Sequence, residues 1–480
     1  MRAAKIGLLF LILMFGATVE ALWQVRDHIE LGPVGCRVLG GRFYGPSYSF
    51  ESEESQTVPA AAPVDVDNAF GSVRVASGAP GEVKVRIRKI VFRSTETEAA
   101  AFAQRIRLIL TQEGGRLRVS TNRETLEQER RGERQIGFET HLELTVPADT
   151  RLTVRNDHGA VEVADVAEAD LTASFDDLKA ERIAGALKAN VQHGGAEIRQ
   201  AQGPLALMSR HGDVLVEDVK GAVDVQAEHG NVSLARVGAT KATTTHGDIK
   251  ADGVSGDLEA RAEHGAVQAS QVAGKAVIDT SYDGIEVKQV DGEARLTAEH
   301  GGVSAEDVQG AVFAQASFDN VRLLRIGKDV EVTVDHGGLE AEDLAGAARV
   351  KVAGDDVSIR DFASSLDIEA DRGSVELTPS GAIAHPLSVR TQHGGIVLRV
   401  PTGSGIDVEL ASVNGEVQVD VPNWTAQRHE DSRTFGRVGN GGVPVKLDAD
   451  HGDVRVFAAG LPVAAASTSP SPRSKPAEDR

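Results

Sequence analysis

The dipeptide His-Gly returns along this 480-residue chain at a nearly constant interval, and that interval limits the possible folds more than any other property of the sequence. It stands at His158, His193, His211, His229, His246, His264, His300, His336, His393 and His451, which takes up ten of the 14 histidines. Phe175, Tyr282 and Phe318 occupy places where the interval calls for another member, as do Gly354, Arg372 and Asn414. From 158 to 372 the successive steps are 17, 18, 18, 18 and 17, followed by seven of 18 residues. A fixed period of this length marks an array of small units, each able to bury its apolar side only against its neighbours.

One unit reads His211-Gly212-Asp213-Val214-Leu215-Val216, then Val219, Gly221, Val223, Val225 and Ala227. Val214 and Val216 alternate with outward residues, and the alternation resumes after Gly221, so each unit predicts two short strands separated by two glycine corners. That is too little chain for an antiparallel blade. It suits one coil of a parallel β-helix, in which every strand pairs with its counterpart one repeat on. The expected fold is therefore all-β, a parallel β-solenoid with coils of about 18 residues, right-handed by the crossover rule for parallel strands. Aromatic residues make up only 4% of the chain while glycine numbers 51, which fits a narrow core of Val, Ala, Leu and Ile.

The regions flanking the array differ in kind. Arg2 and Lys5 precede an apolar run from Ile6 to Phe15 and a Val19-Glu20-Ala21 pattern, so residues 1–23 read as a secretory signal peptide or a retained membrane anchor over residues 6–23. Residues 24–63, rich in Gly, Pro and Ser, read as a spacer that holds the lone Cys36. Residues 64–157 predict a strand-helix-strand cap on the array. Its helix starts at Thr95, carries a stripe of Phe102, Ile106 and Ile109, and stops at Gly114-Gly115. The solenoid then covers 158–457. Its spacing loosens after His393, with a polar insertion from Trp424 to Phe435, and 458–480 is a Ser/Pro-rich tail of disordered composition.

Functional signals are sparse. A net charge of −20 opposes nucleic acid as a partner. One cysteine excludes a disulfide framework or a thiolate metal centre. Histidines stacked coil on coil would form a column about 4.8 Å apart, but Phe175, Tyr282 and Phe318 interrupt it and no regular carboxylate completes a metal site. We therefore read His158, Phe175, His193, His211, His229, His246, His264, Tyr282, His300, Phe318, His336, His393 and His451 as a structural ladder of rings at the corner, with no metal, no cofactor and no catalytic residue assigned. A column of imidazoles charging together below about pH 6.5 would repel itself, so acid sensitivity is expected. The acidic pairs Glu217-Asp218, Glu306-Asp307 and Glu342-Asp343 recur at outward positions, as a solvated face requires, and the coils from 158 to 372 have no inserted loop to wall a cleft.

The exported N-terminus, the strand-helix-strand stretch from Val73 to Val119, the His-Gly-x-Val-x-Val coils, and Gly441-Gly442-Val443-Pro444-Val445 ahead of His451-Gly452-Asp453-Val454 resemble a bacterial family of β-strand-repeat proteins of adhesin type. The resemblance spans about residues 64–457. It implies an envelope protein, often membrane-tethered, and carries no catalytic residues, because the adhesin label in that family is itself drawn from the fold. Together these readings predict a non-catalytic, exported protein of the periplasm or cell envelope whose partner is an envelope protein or a glycan. The alternative is a carbohydrate-active or polysaccharide-binding β-helix.

Overall fold

A computed structural model describes residues 46–459 apart from 60, 130–136 and 431. The N-terminal signal or anchor, Cys36, most of the spacer and the tail from 460 lie outside the described residues. Among the described residues no helix is long and apolar enough to cross a membrane. They divide into two compact units: a larger one of Ser52–Ile87, Leu108–Thr121 and the chain from Thr140, and a smaller one of Arg88–Arg107, Asn122–Glu139 and the residues up to Glu51.

The larger unit is a β-solenoid of about 14 turns with coils of about 18 residues. Each turn gives one strand to each of two parallel sheets. In the first sheet Val214–Val219 pairs with Val232–Val237, Val214 opposite Val232 and Val216 opposite Leu234. In the second, Val223–His229 lies between Leu205–His211 and Thr240–His246, with His211, His229 and His246 in one register. Because side chains alternate across a strand, the positions of Val214, Val216, Val223 and Val225 all turn inward, and they are buried in coil after coil. Each such valine or leucine stabilises the fold by roughly 1.5–3 kcal/mol through burial.

The two corners, alike in the sequence, are built differently. After the histidine, Gly212 holds φ at +129°, and a Cβ there would stand 2.1 Å from the carbonyl oxygen of Gly194 one coil away. Its N–H donates to the His229 carbonyl on the other side at 3.0 Å. At the second corner the left-handed turn is made mostly by non-glycine residues, Asp218 at φ 57°, Arg236 at 54° and Gln271 at 55°, with Gly253 at 73° in the coil between the last two. Gly221 serves close approach instead, since a Cβ on it would come within 2.3 Å of the Gly203 backbone.

Both ends depart from chain order. The Leu387–His393 strand pairs with Val443–His451, not with the coil that follows it, and Val443–His451 in turn pairs with Ile406–Ser412. The first sheet repeats this, Ile396–Val400 beside Val454–Ala458 and that beside Val417–Asp420. The last coil therefore slots between two earlier ones. The insertion read from Trp424 to Phe435 is an antiparallel hairpin of Trp424–Glu430 and Arg433–Val438, whose second strand covers Ile406–Ser412. At the opposite end, Val64–Phe70 and Val73–Gly78 already form a coil, in register with Arg151–His158 and Val161–Ala164. Part of the stretch read as spacer is also ordered: Ser47–Thr57 is a strand, and Val58 and Ala62 join the solenoid core.

In the smaller unit the helix does begin at Thr95, whose hydroxyl accepts the Glu98 N–H at 3.3 Å, but it ends at Ala103. Ile109 falls instead on the strand Leu108–Glu113, half exposed, and Gly114-Gly115 is the turn of its hairpin with Arg116–Thr121. Strand alternation through Leu108 and Leu110 prevails over the helical spacing there. Phe102 and Ile106 are buried in a cluster with Val91, Ala99, Ala103, Leu126 and Phe138.

Candidate functional site

From His193 to His264 the second-sheet strands end on the corner residue, and a left-handed glycine behind it turns the chain away, so the side chain projects from the edge of the sheet. At Phe175 and from Tyr282 to His336 the strands stop two residues earlier, yet the rings keep their place in the stack. Centroids lie 4.4 Å apart for Phe70 and His158, 4.5 Å for His158 and Phe175, and 5.0 Å for Phe175 and His193. His193, His211, His229, His246 and His264 follow at 4.8 to 4.9 Å. Tyr282, His300, Phe318 and His336 continue the stack with planes within 13° of parallel. Gly354 and Arg372 interrupt the column, and His393 on His451 resumes it at 5.1 Å. The thirteen corner residues are thus brought into one column with a single gap. Phe70 joins it as well, a member signalled by the echo of the repeat in Phe70-Gly71-Ser72-Val73.

Phe175, Tyr282 and Phe318 are 51%, 54% and 56% exposed. That exposure is at ring edges, because each face is turned to the ring above or below. A face-occupied ring offers no platform for a sugar or a base. The imidazoles are tied to the backbone: Nδ1 of His300 donates to the Ser281 carbonyl at 2.9 Å, and those of His211 and His336 donate to Gln192 and Ser317 at 3.3 Å. Nε2 is then the acceptor nitrogen of each. The near-parallel pairs His193–His211 and His246–His264 aim like nitrogens side by side, whereas an ion held about 2.1 Å from both needs them to converge; His229 stands edge-on to His211 and His246, at 65° and 67°. Among the described residues no group of three or more His, Cys, Asp or Glu is placed to hold a metal.

Two further ladders run beside the rings. The residue after the corner glycine bonds across coils: the Asp213 carboxylate accepts the Asn231 N–H at 2.9 Å, the Asn231 side chain accepts that of Asp248 at 3.0 Å, and Asp248 accepts that of Ala266 at 2.9 Å. The sequence signal for this is the His-Gly-Asp triplet at His211, His246 and His451, with His229-Gly230-Asn231 as its one Asn counterpart. At the left-handed corner, Arg182 meets Asp165 and Arg236 meets Asp218, each at 2.6 Å, and Arg325 meets Asp307 at 2.5 Å, always one coil apart. The arginine hydrogen bond holds the carboxyls of Asp165, Asp218 and Asp307 below the usual carboxylate range.

Among the concavities of the described surface, two lie along the ladders. A groove of about 910 Å³ follows the second corner across successive coils, floored by the small residues Ala186, Pro204, Ala222 and Ala239. A shallower notch of about 440 Å³ lies where Gly284 and Gly302 carry no side chain, bordered by Tyr282, Asp283, His300, Asp319 and Arg322.

This geometry defines a repeat protein of the β-solenoid class. Within that class, the family model Toastrack DUF4097, a domain of unknown function, matches residues 82–319 and 279–457, and the chain belongs to that family. No curated protein matches it. Among solved structures, a "putative cell adhesion protein" from Clostridium sporogenes is 8% identical over 85% of this chain and 99% of that one, with a TM-score of 0.16, a likeness from which nothing about role is drawn.

Proposed function

We propose that the protein is a non-catalytic, adhesin-like scaffold of the cell envelope, which engages another envelope protein or a glycan through its strand faces and ends. The observation that carries this reading is how the outward residues are used. They bond to the neighbouring coil, as in Lys179 to Glu197 at 3.0 Å, Arg199 to Glu217 at 2.9 Å and Lys241 to Glu259 at 2.6 Å, rather than converging on a point where a substrate would sit. The exported N-terminus read from the sequence supplies the compartment. An envelope extract and a panel of envelope polysaccharides incubated with the protein, read for retention and for release of reducing ends, test the proposal: retention of a glycan or an envelope protein without turnover is expected, and reproducible cleavage would overturn it.

The notch favours a second reading, a carbohydrate-active β-helix. Asp283 and Asp319 border it together with His300 and Arg322, a set that could serve acid–base chemistry. Under that reading Asp283→Asn or Asp319→Asn abolishes any glycan cleavage, and under ours there is no cleavage to abolish.

A further inference from the structure

Among the described residues, the C-terminal end of the solenoid is finished on one sheet and left open on the other. In the second sheet Ile406, Val408 and Leu410 are buried, because Arg433–Val438 lies beyond them. In the first sheet the outermost strand is Val417–Asp420, paired on its inner side with Val454–Ala458. Val454 and Val456, opposite Val417 and Val419, are 0% and 1% exposed. Val417, Val419 and the adjacent Val421 face the same core and are only half-buried. The Val454 N–H donates to the Glu416 carbonyl at 2.9 Å, so the even-numbered residues address the inner neighbour. By alternation, Val417 and Val419 turn their N–H and C=O groups to the open side.

The hairpin adds one more apolar residue to this end of the core. Trp424 stands opposite Val438, and its indole lies across Gly436, where a Cβ would meet it at 2.1 Å. Trp424 is half-buried against the same core as the three valines. A single added strand would therefore find backbone partners along Val417–Asp420 and half-buried apolar side chains in Val417, Val419, Val421 and Trp424. Outward, the edge shows Glu416, Gln418 and Asp420, all exposed and without a cation among them, while the nearby Arg455 is paired with Asp453 at 2.7 Å. Pro422 ends the strand, since it lacks the N–H that would continue the pairing with the inner neighbour.

We propose that this edge docks an extended peptide strand of a partner protein, with apolar side chains at alternate positions and basic ones between, by strand addition to the first sheet. The proposal goes beyond the scaffold reading and stands whether or not the protein binds glycans.

The test uses the full chain with Trp23→Phe, which leaves Trp424 as the reporter. The probe is a synthetic ten-residue peptide of alternating Val and Lys. Saturable binding with a blue shift of Trp424 emission is expected. Binding should be at least roughly tenfold weaker for the same peptide N-methylated at alternate amides, and weaker again for Asp420→Lys, a fully exposed change that leaves the melting midpoint in place. Val419→Lys should abolish it. No binding to the full chain would overturn the proposal, as would binding indifferent to N-methylation, which would reduce the contact to charge alone. Binding that appears only once the chain is cut after Ala459 would also overturn it, by assigning the edge to the protein's own C-terminal segment.

Discussion

Gly212 shows how little freedom a stacked corner leaves. Its left-handed φ and the 2.1 Å approach that a Cβ would make to Gly194 act together, so Gly212→Ala should destabilise the fold by roughly 3 kcal/mol, strain and displaced backbone combined. Chemical denaturation checks this, and a change within error would mean that the corner relaxes at no cost. Asp218 is a gentler case. Its carboxyl is held below the ordinary range by the Arg236 hydrogen bond, so the pair's stabilisation is present above the unfolded carboxylate value near pH 4 and is lost as pH falls through the lower folded value. The difference in stability between wild type and Asp218→Asn should therefore be steady from neutral pH down to about pH 4 and vanish below it. A difference that grew on acidification would reverse the sign of the interaction.

At the scale of the element, the corner ladder trades one ring for another without a change of spacing. Phe175 sits 4.5 and 5.0 Å from its histidine neighbours, the same interval that separates imidazole from imidazole. Phe175→His should then leave the melting midpoint nearly unchanged, whereas Phe175→Ala should cost roughly 0.5–1.5 kcal/mol. Equal losses from both would show that the phenyl ring matters for its area and not for its place in the stack. The strands themselves were legible in the sequence because two physical periods coincide there: side-chain alternation at 2 and coil return at 18 residues. Where only one signal was present, the reading slipped. Phe102, Ile106 and Ile109 share a helical spacing, yet the helix stops at Ala103 because Leu108 and Leu110 also satisfy a strand. The left-handed turn at Asp218 left no mark at all, since Asp, Arg and Gln at that position look like ordinary surface.

Taken whole, the array should behave as a sum of neighbour interfaces. Removing Val267–Gly284, one full coil, rejoins Ala266 to Ile285 in the same phase of the repeat. Folding and the melting midpoint should survive it. Removing Val267–Lys275 leaves half a coil, places strands of one sheet against corners, and should abolish folding; a folded product of that deletion with an unchanged melting midpoint would refute the solenoid's register. Sequence spacing gave no hint that the coil at His451 lies next to the coil at His393, inside that of Asn414, because spacing records the order of units along the chain and not the order in which they stack. That inversion bears on how such a chain can change length over generations. Between 158 and 372 a copied or lost coil is absorbed by neighbours that follow one another, so the array can be lengthened or shortened there by simple duplication. Past Leu387 the final coil is interleaved with one made 37 residues earlier, and a copied unit at that point would have no vacant interface to enter. The interleaved end works as a stop on the repeat, a place where one more coil finds no seat.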